Sequence, residues 1–173
     1  MKKSGKIAVL VLVLLTVLGF GCYWQAQTVL RIYDYKTGKI YVEVPAKEGD
    51  KLFFGWVHSW EKIPWHEFYH IGPQNTLVLE KICFPAFGAG IPENKGKKCY
   101  VKDGMIYMDE IGQVFPYFVW INSHFATREI KLNDVHISSG AELPEHTRVI
   151  LAIERRVDKW LRMTKLSSKA TRT

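Results

Sequence analysis

KLFFGWVHSWEKIPWHEFYHI, Lys51 to Ile71, admits two conformations with opposite consequences. Its second half contains His66-Glu67-Phe68-Tyr69-His70, formally the HExxH pattern of zinc proteases. In that pattern histidines at i and i+4 share a helix face and the glutamate activates a metal-bound water. Such chemistry needs a helix. Pro64 lies just upstream and Gly72-Pro73 just downstream, leaving room for barely two helical turns, and Trp65, Phe68 and Tyr69 are residue types that suit a strand. On a strand His66 and His70 still share a face, but Glu67 points to the other one. The stretch therefore reads as two strands, Lys51 to Trp60 and Trp65 to Ile71, bent near Pro64. A zinc-dependent hydrolase with His66 and His70 as ligands and Glu67 as base is the alternative, and it needs a helix and a third ligand.

The same texture runs outward in both directions, as short branched and aromatic runs separated by Gly, Pro, Asn and Asp. Further strands are expected at Thr28 to Tyr33, Lys39 to Val44, Thr76 to Phe84, Lys98 to Lys102, Met105 to Ile111, Phe115 to Ile121, Glu129 to Leu132 and Arg148 to Glu154. Turns are marked at Thr37-Gly38, Gly49-Asp50, Gly72-Pro73, Asp103-Gly104 and Gly112. Helical spacing returns only after Ile153, where Val157, Trp160, Leu161 and Thr164 fall on one face among basic residues. About ten short strands and no fixed-period repeat predict an all-β fold, a compact antiparallel sandwich or barrel with a short basic C-terminal helix.

The chain of 173 residues has a formal charge of +7, but the cations are unevenly placed. Lys2, Lys3 and Lys6 open it, and from Arg155 onward seven cations face Asp158 alone. Residues 7 to 154 carry fourteen basic and sixteen acidic side chains, so the body lacks the cations that a phosphate-neutralising groove requires, and nucleic acid is not an expected partner. Between Lys6 and Arg31 there is no charge, and Ile7 to Trp24 is an 18-residue apolar run followed by no A-x-A-like cleavage site. As a helix it would reach about 27 Å against a hydrocarbon core of about 30 Å. The expectation is a single-pass transmembrane anchor in the lipid bilayer, uncleaved, with residues 1–6 cytoplasmic and the remainder outside the cytoplasmic membrane. Lipidation at Cys22 is the alternative fate. The expected parts are an anchor over 1–27, an extracytoplasmic all-β domain over 28–154 and a basic amphipathic tail over 155–173, which either touches lipid head groups or is a solvated terminus.

An exported domain sits in an oxidising compartment, where Cys83 and Cys99 are available to each other. They enclose 15 residues, and closing such a loop is worth about 3 kcal/mol by chain entropy. A disulfide is expected there, the alternative being two separate buried thiols.

Two runs carry the candidate site. His58, Ser59, Glu61 and Glu67 are polar groups on the Lys51 to Ile71 hairpin, and pairing of its strands brings His58 and Glu67 near one another across the ladder, as a binding site or a structural pair. Phe87, Gly88, Ala89, Gly90, Ile91 and Pro92 lie inside the Cys83 to Cys99 loop, where two glycines allow close backbone approach to a ligand or to a neighbouring strand. G-x-G here lacks the third glycine and opens no helix, and no motif implies a cofactor. Together HSWEKIPWHEF and the following FGAGIP resemble a bacterial and archaeal family of unknown function. It has an aromatic strand leading into His-Ser-x-Glu, a Pro, a Glu, and then Phe-Gly-Ala-Gly-Leu-Pro. The likeness spans about residues 50 to 153, with Ile91 in place of the usual Leu and with His124 at the position of a downstream His. His66, His70, the cysteine pair and the basic tail stand outside the pattern. Members are small exported or membrane-anchored proteins whose genes often accompany TAXI-type TRAP transporters. The resemblance therefore implies a non-enzymatic accessory or binding domain beside a TRAP permease or its substrate-binding protein, with His58, Ser59, Glu61, Glu67, Phe87, Gly88, Ala89, Gly90, Pro92 and His124 at its contact surface. A domain whose His and Glu residues serve the fold alone is the third reading.

Overall fold

A computed structural model describes residues 2–88 and 94–158. They fall into two compact units, one formed by the N-terminal segment with residues from Arg155 onward, the other by Val29–Glu154. In the first unit, helix α1 spans Lys2–Ala26. Arg156 lies 4.0 Å over the Trp24 ring and its backbone N–H donates to the Gln27 carbonyl at 2.8 Å, while its guanidinium reaches the Gln27 side-chain oxygen at 3.2 Å. The side chains described along α1 from Val9 to Trp24 are exposed and almost all apolar. Among the described residues no helix is long and apolar enough to cross a membrane. The basic helix expected at the C-terminus lies outside the described residues beyond Asp158.

The second unit is mostly β. Its strands are β1 (Thr28–Asp34), β2 (Ile40–Pro45), β3 (Lys51–Val57), β4 (Pro64–Gly72), β5 (Thr76–Phe84), β6 (Lys98–Lys102), β7 (Met105–Asp109), β8 (Gln113–Phe115), β9 (Phe118–Ile121), β10 (Thr127–Leu132), β11 (Val135–Ser138) and β12 (Arg148–Arg155). One sheet has the order β2-β1-β12-β9, and the larger has β11-β10-β3-β4-β5-β7-β6 with β8 beside β5. Leu30, Ile32, Val149 and Leu151 of the small sheet share one buried core with Leu52, Phe54, Leu77 and Ile82 of the large one. Of the two architectures expected, the sandwich is the one formed.

Among the described residues twelve strands stand where about ten were expected, and both differences have local causes. The expected strand Phe115 to Ile121 is cut at Pro116, which has no N–H for a ladder. The part before it pairs with β5 in the large sheet and the part after it with β12 in the small one, so the proline marks the crossing between layers. The additional strand β11 follows Asn133 and Asp134, both at positive φ (50° and 65°), the backbone of a tight hairpin turn. Lys51 to Trp60 also ends early, at Val57. His58 and Ile63 close the hairpin loop instead, and Pro64 opens the next strand rather than forming the bend.

The expected disulfide is not present: Cys83 and Cys99 are both free thiols, the first buried and the second exposed. Strand β7 lies between them, with Cys83 opposite Tyr107 and Cys99 opposite Met108. Two strand spacings are about 10 Å, beyond the ~7 Å Cα separation a disulfide can bridge. Tyr107 and Met108 are consecutive, so their partners also face opposite sides of the sheet. We predict that a denatured, unreduced sample takes up one alkyl group per cysteine, three in all; a mass two alkyl groups short would mean that the strands rearrange to join the pair.

The loop ahead of β10 is held by Asn122, which is fully buried and whose amide nitrogen approaches the carbonyls of Gly140, Leu143 and Pro144 at 2.9, 3.1 and 3.1 Å. Asn122→Ala strands those buried acceptors and should lower stability by about 2 kcal/mol, read as a shift in the urea midpoint of the full chain.

Candidate functional site

Strands β3 and β4 pair with Val57 opposite Pro64, Trp56 opposite Trp65 and Phe54 opposite Glu67. The two-residue period of β4 then sorts its side chains. Trp65, Tyr69 and Ile71 are buried on the inner face, and Glu67 points the same way, while His66, Phe68 and His70 take the outer face. HEFYH is therefore strand, and the helical geometry a zinc protease needs is overturned. His66 lies 5.3 Å from the Phe53 ring with its Nδ1 3.7 Å from the Cys83 sulfur, whereas His70 pairs with Glu80 at 2.9 Å. Glu67 stands on the far side of the sheet from both. Among the described residues no group of three His, Cys, Asp or Glu is placed to hold a metal ion.

Polar residues of the first motif and the start of the second lie near one indole. Trp65 stacks on Phe84 of β5 at 4.8 Å with an 11° angle between the rings, and the Phe87 ring stands 5.7 Å from Phe84. The Trp65 ring lies 5.8 Å from the His58 imidazole, and its N–H donates to Glu67 Oε1 at 3.0 Å. His58 Nδ1 in turn accepts from the Glu61 backbone N–H at 3.3 Å, holding the turn. Gly88 is pressed against the Glu61 side chain: a Cβ there would fall 2.5 Å from its carboxyl carbon, so no larger residue fits without displacing it. One end of the sandwich thus brings His58, Glu61 and Glu67 together with Phe87 and Gly88. Residues 53–138 match the family described as DUF1850, a domain of unknown function. No curated protein and no solved structure gives a match.

The DUF1850 segment runs from within β3 to the end of β11 and so holds nearly all of the large sheet, but of the small sheet only β9. Within it the remaining expected site residues are dispersed. Ser59 is exposed on the hairpin loop. His124 lies elsewhere, with its ring nitrogen 3.0 Å from the Leu143 carbonyl and 3.5 Å from Glu145. Ala89, Gly90 and Pro92 lie outside the described residues. His58 and Glu67 do not form the direct pair expected across the ladder, because Trp65 stands between them. Trp65 is not among the expected site residues, although Trp-x-Glu-x-Tyr at strand spacing puts a carboxylate between an indole and a phenol on one face.

Within the matched segment Glu67 collects several donors. Its second oxygen accepts from the Tyr69 hydroxyl at 2.5 Å, and the Trp56 indole adjoins it. Burial pushes the Glu67 carboxyl above its ordinary range, against the opposing pull of the Tyr69, Trp56 and Trp65 hydrogen bonds and of the Lys95 charge. Burial, reinforced by the Glu67 charge, likewise drives the Tyr69 phenol up, so it stays a donor at any physiological pH. On the outer face burial lowers the His66 imidazole, opposed by Glu129, and raises the Cys83 thiol. A carboxyl raised on folding favours the folded state fully at pH values below its unfolded pKa, and that contribution is lost as pH rises through its folded value. Glu67→Gln mimics the neutral form at every pH. Its melting temperature relative to the parent should therefore climb as the pH rises above the ordinary carboxylate range of about 4; a constant difference from there upward would show that Glu67 titrates as it does in the unfolded chain.

Proposed function

We propose that this chain is a membrane-anchored, extracytoplasmic, non-catalytic accessory domain that binds beside a TAXI-type TRAP transporter. The observation that carries the reading is the meeting of the two motifs at Trp65, which joins segments separated in sequence into one surface. On the two loops that meet there, Trp60 is 78% exposed and Phe87 56% exposed, two large apolar side chains of the kind found at protein contact sites. Attachment to the bilayer is supported by the absence of charge between Lys6 and Arg31 and by the apolar run Ile7 to Trp24. The transporter as partner is supported by the family resemblance of HSWEKIPWHEF and FGAGIP.

Trp60 and Phe87 project from the surface, so their replacement by serine should leave the fold intact. The doubly substituted full chain, Trp60→Ser with Phe87→Ser, should retain the parent's melting temperature yet capture the neighbouring permease from detergent extracts on the order of tenfold less well, the loss of one interface anchor. Capture equal to the parent's would overturn this contact surface.

A further inference from the structure

Beside Glu67, where β3 and β4 of the large sheet face β9 of the small one, is a cavity of about 220 Å³. Phe54, Trp56, Phe118 and Trp120 supply most of its wall, with Thr127 beside them. The rings brace one another. Phe54 meets Phe118 edge-on at 4.8 Å and Trp120 at 5.2 Å, while Phe118 and Trp120 stack at 5.3 Å. Glu67 is the one charged side chain in the lining, and no Lys, Arg or His shares it. The charge of Lys95 reaches Glu67, with less effect on that carboxyl than burial or the Tyr69, Trp56 and Trp65 hydrogen bonds. The Trp120 indole nitrogen is buried and has no partner among the described residues.

These features select an occupant. Aromatic faces carry negative charge density and the carboxylate adds more, so an anion is repelled and a neutral solute lacks the Coulombic attraction that a cation gains. A hard metal ion would need several oxygen ligands, and the cavity offers one carboxylate. A diffuse, weakly hydrated cation fits both the rings and the charge, as in aromatic cages for quaternary ammonium groups. We propose that this cavity binds a small organic cation bearing a tertiary or quaternary ammonium group, with Glu67 as its countercharge and Phe54, Trp56, Phe118 and Trp120 as its cage. The inference rests on reading this end of the domain as a binding surface, and not on the identity of the transporter.

Choline chloride and its uncharged isostere 3,3-dimethyl-1-butanol test it, titrated into the full chain in detergent at constant ionic strength. Tryptophan fluorescence and calorimetry supply the readout. Choline should saturate a single site, and the neutral isostere should bind at least about 30-fold more weakly, as expected for a desolvated cation–π contact of about 2 kcal/mol. Glu67→Gln should weaken choline about tenfold or more. Phe118→Leu, which keeps the cavity apolar and the carboxylate in place, should weaken it as well, and it serves as the reporter if Glu67→Gln fails to fold. Equal binding of the isostere, undiminished choline binding by the folded variants, or no saturable binding by the parent overturns the inference. Absent choline binding with permease capture intact removes the cation site alone. Choline binding without permease capture removes the transporter reading alone.

Discussion

The contact between Trp65 and Phe84 is the joint on which this end of the molecule turns. Stacked at 4.8 Å, the two rings lock β4 to the exit of β5. The consequence is that the hairpin loop carrying His58 and Glu61 lies over the start of the loop carrying Phe87 and Gly88. The same indole leaves its N–H free to satisfy Glu67, which would otherwise be a half-buried carboxylate with fewer donors. One side chain therefore does three things at once: it fills the core, it sets the spacing between two loops and it holds a charge-bearing group in place. The short contact between Gly88 and Glu61 follows from that spacing.

The large sheet separates two chemistries by the pleat alone. On its inner face Glu67 sits among indoles and a phenol. On its outer face His66 lies against Phe53 and Cys83, and Lys81 and Lys131 lie over the rings of Phe68 and Phe53 at 5.8 and 5.6 Å. A motif that looks like a single catalytic unit in one dimension is divided by a layer of backbone. The outer side is mixed in charge, with lysines balanced by Glu80, Asp109 and Asp134, while the cavity on the inner side is lined by one acid, Glu67, and, among the described residues, by no base.

Much of this was legible from residue types. β4 could be read because Trp65, Glu67 and Tyr69 alternate with His66, Phe68 and His70 between two prolines, a pattern that only a strand sorts sensibly. Turns with glycine at positive φ, at Gly38, Gly49, Gly104 and Gly112, fell where they were expected. β11 was overlooked because four residues after Asn133-Asp134 give too short a period to register. The run across Pro116 looked continuous because the aromatic residues on both sides share a composition, although they belong to different sheets. The disulfide failed for a reason that spacing cannot express. Fifteen intervening residues say how long a loop is, but not that β7 would return between its ends. For the site, the motif residues were found and their connector was not, because the stacking of Phe84 on Trp65 depends on strand register. Phe118 and Trp120 come from the opposite sheet, and only packing brings them to Glu67.

The order of the small sheet has a bearing on how the chain is made. β12, the last strand, lies between β1, the first, and β9. Everything from β3 to β11 can be synthesised before the hairpin of β1 and β2 has a partner on its inner side. Closure of the core must then wait for a pairing that spans almost the whole domain, the kind of non-local contact that makes β proteins slow to fold. During that interval the apolar residues Leu30 and Ile32, fully buried at the end, are without their cover. Completion of this sandwich therefore waits until β12 has been made, and loss of that strand would open the barrier between core and solvent even though the large sheet is nearly all encoded upstream.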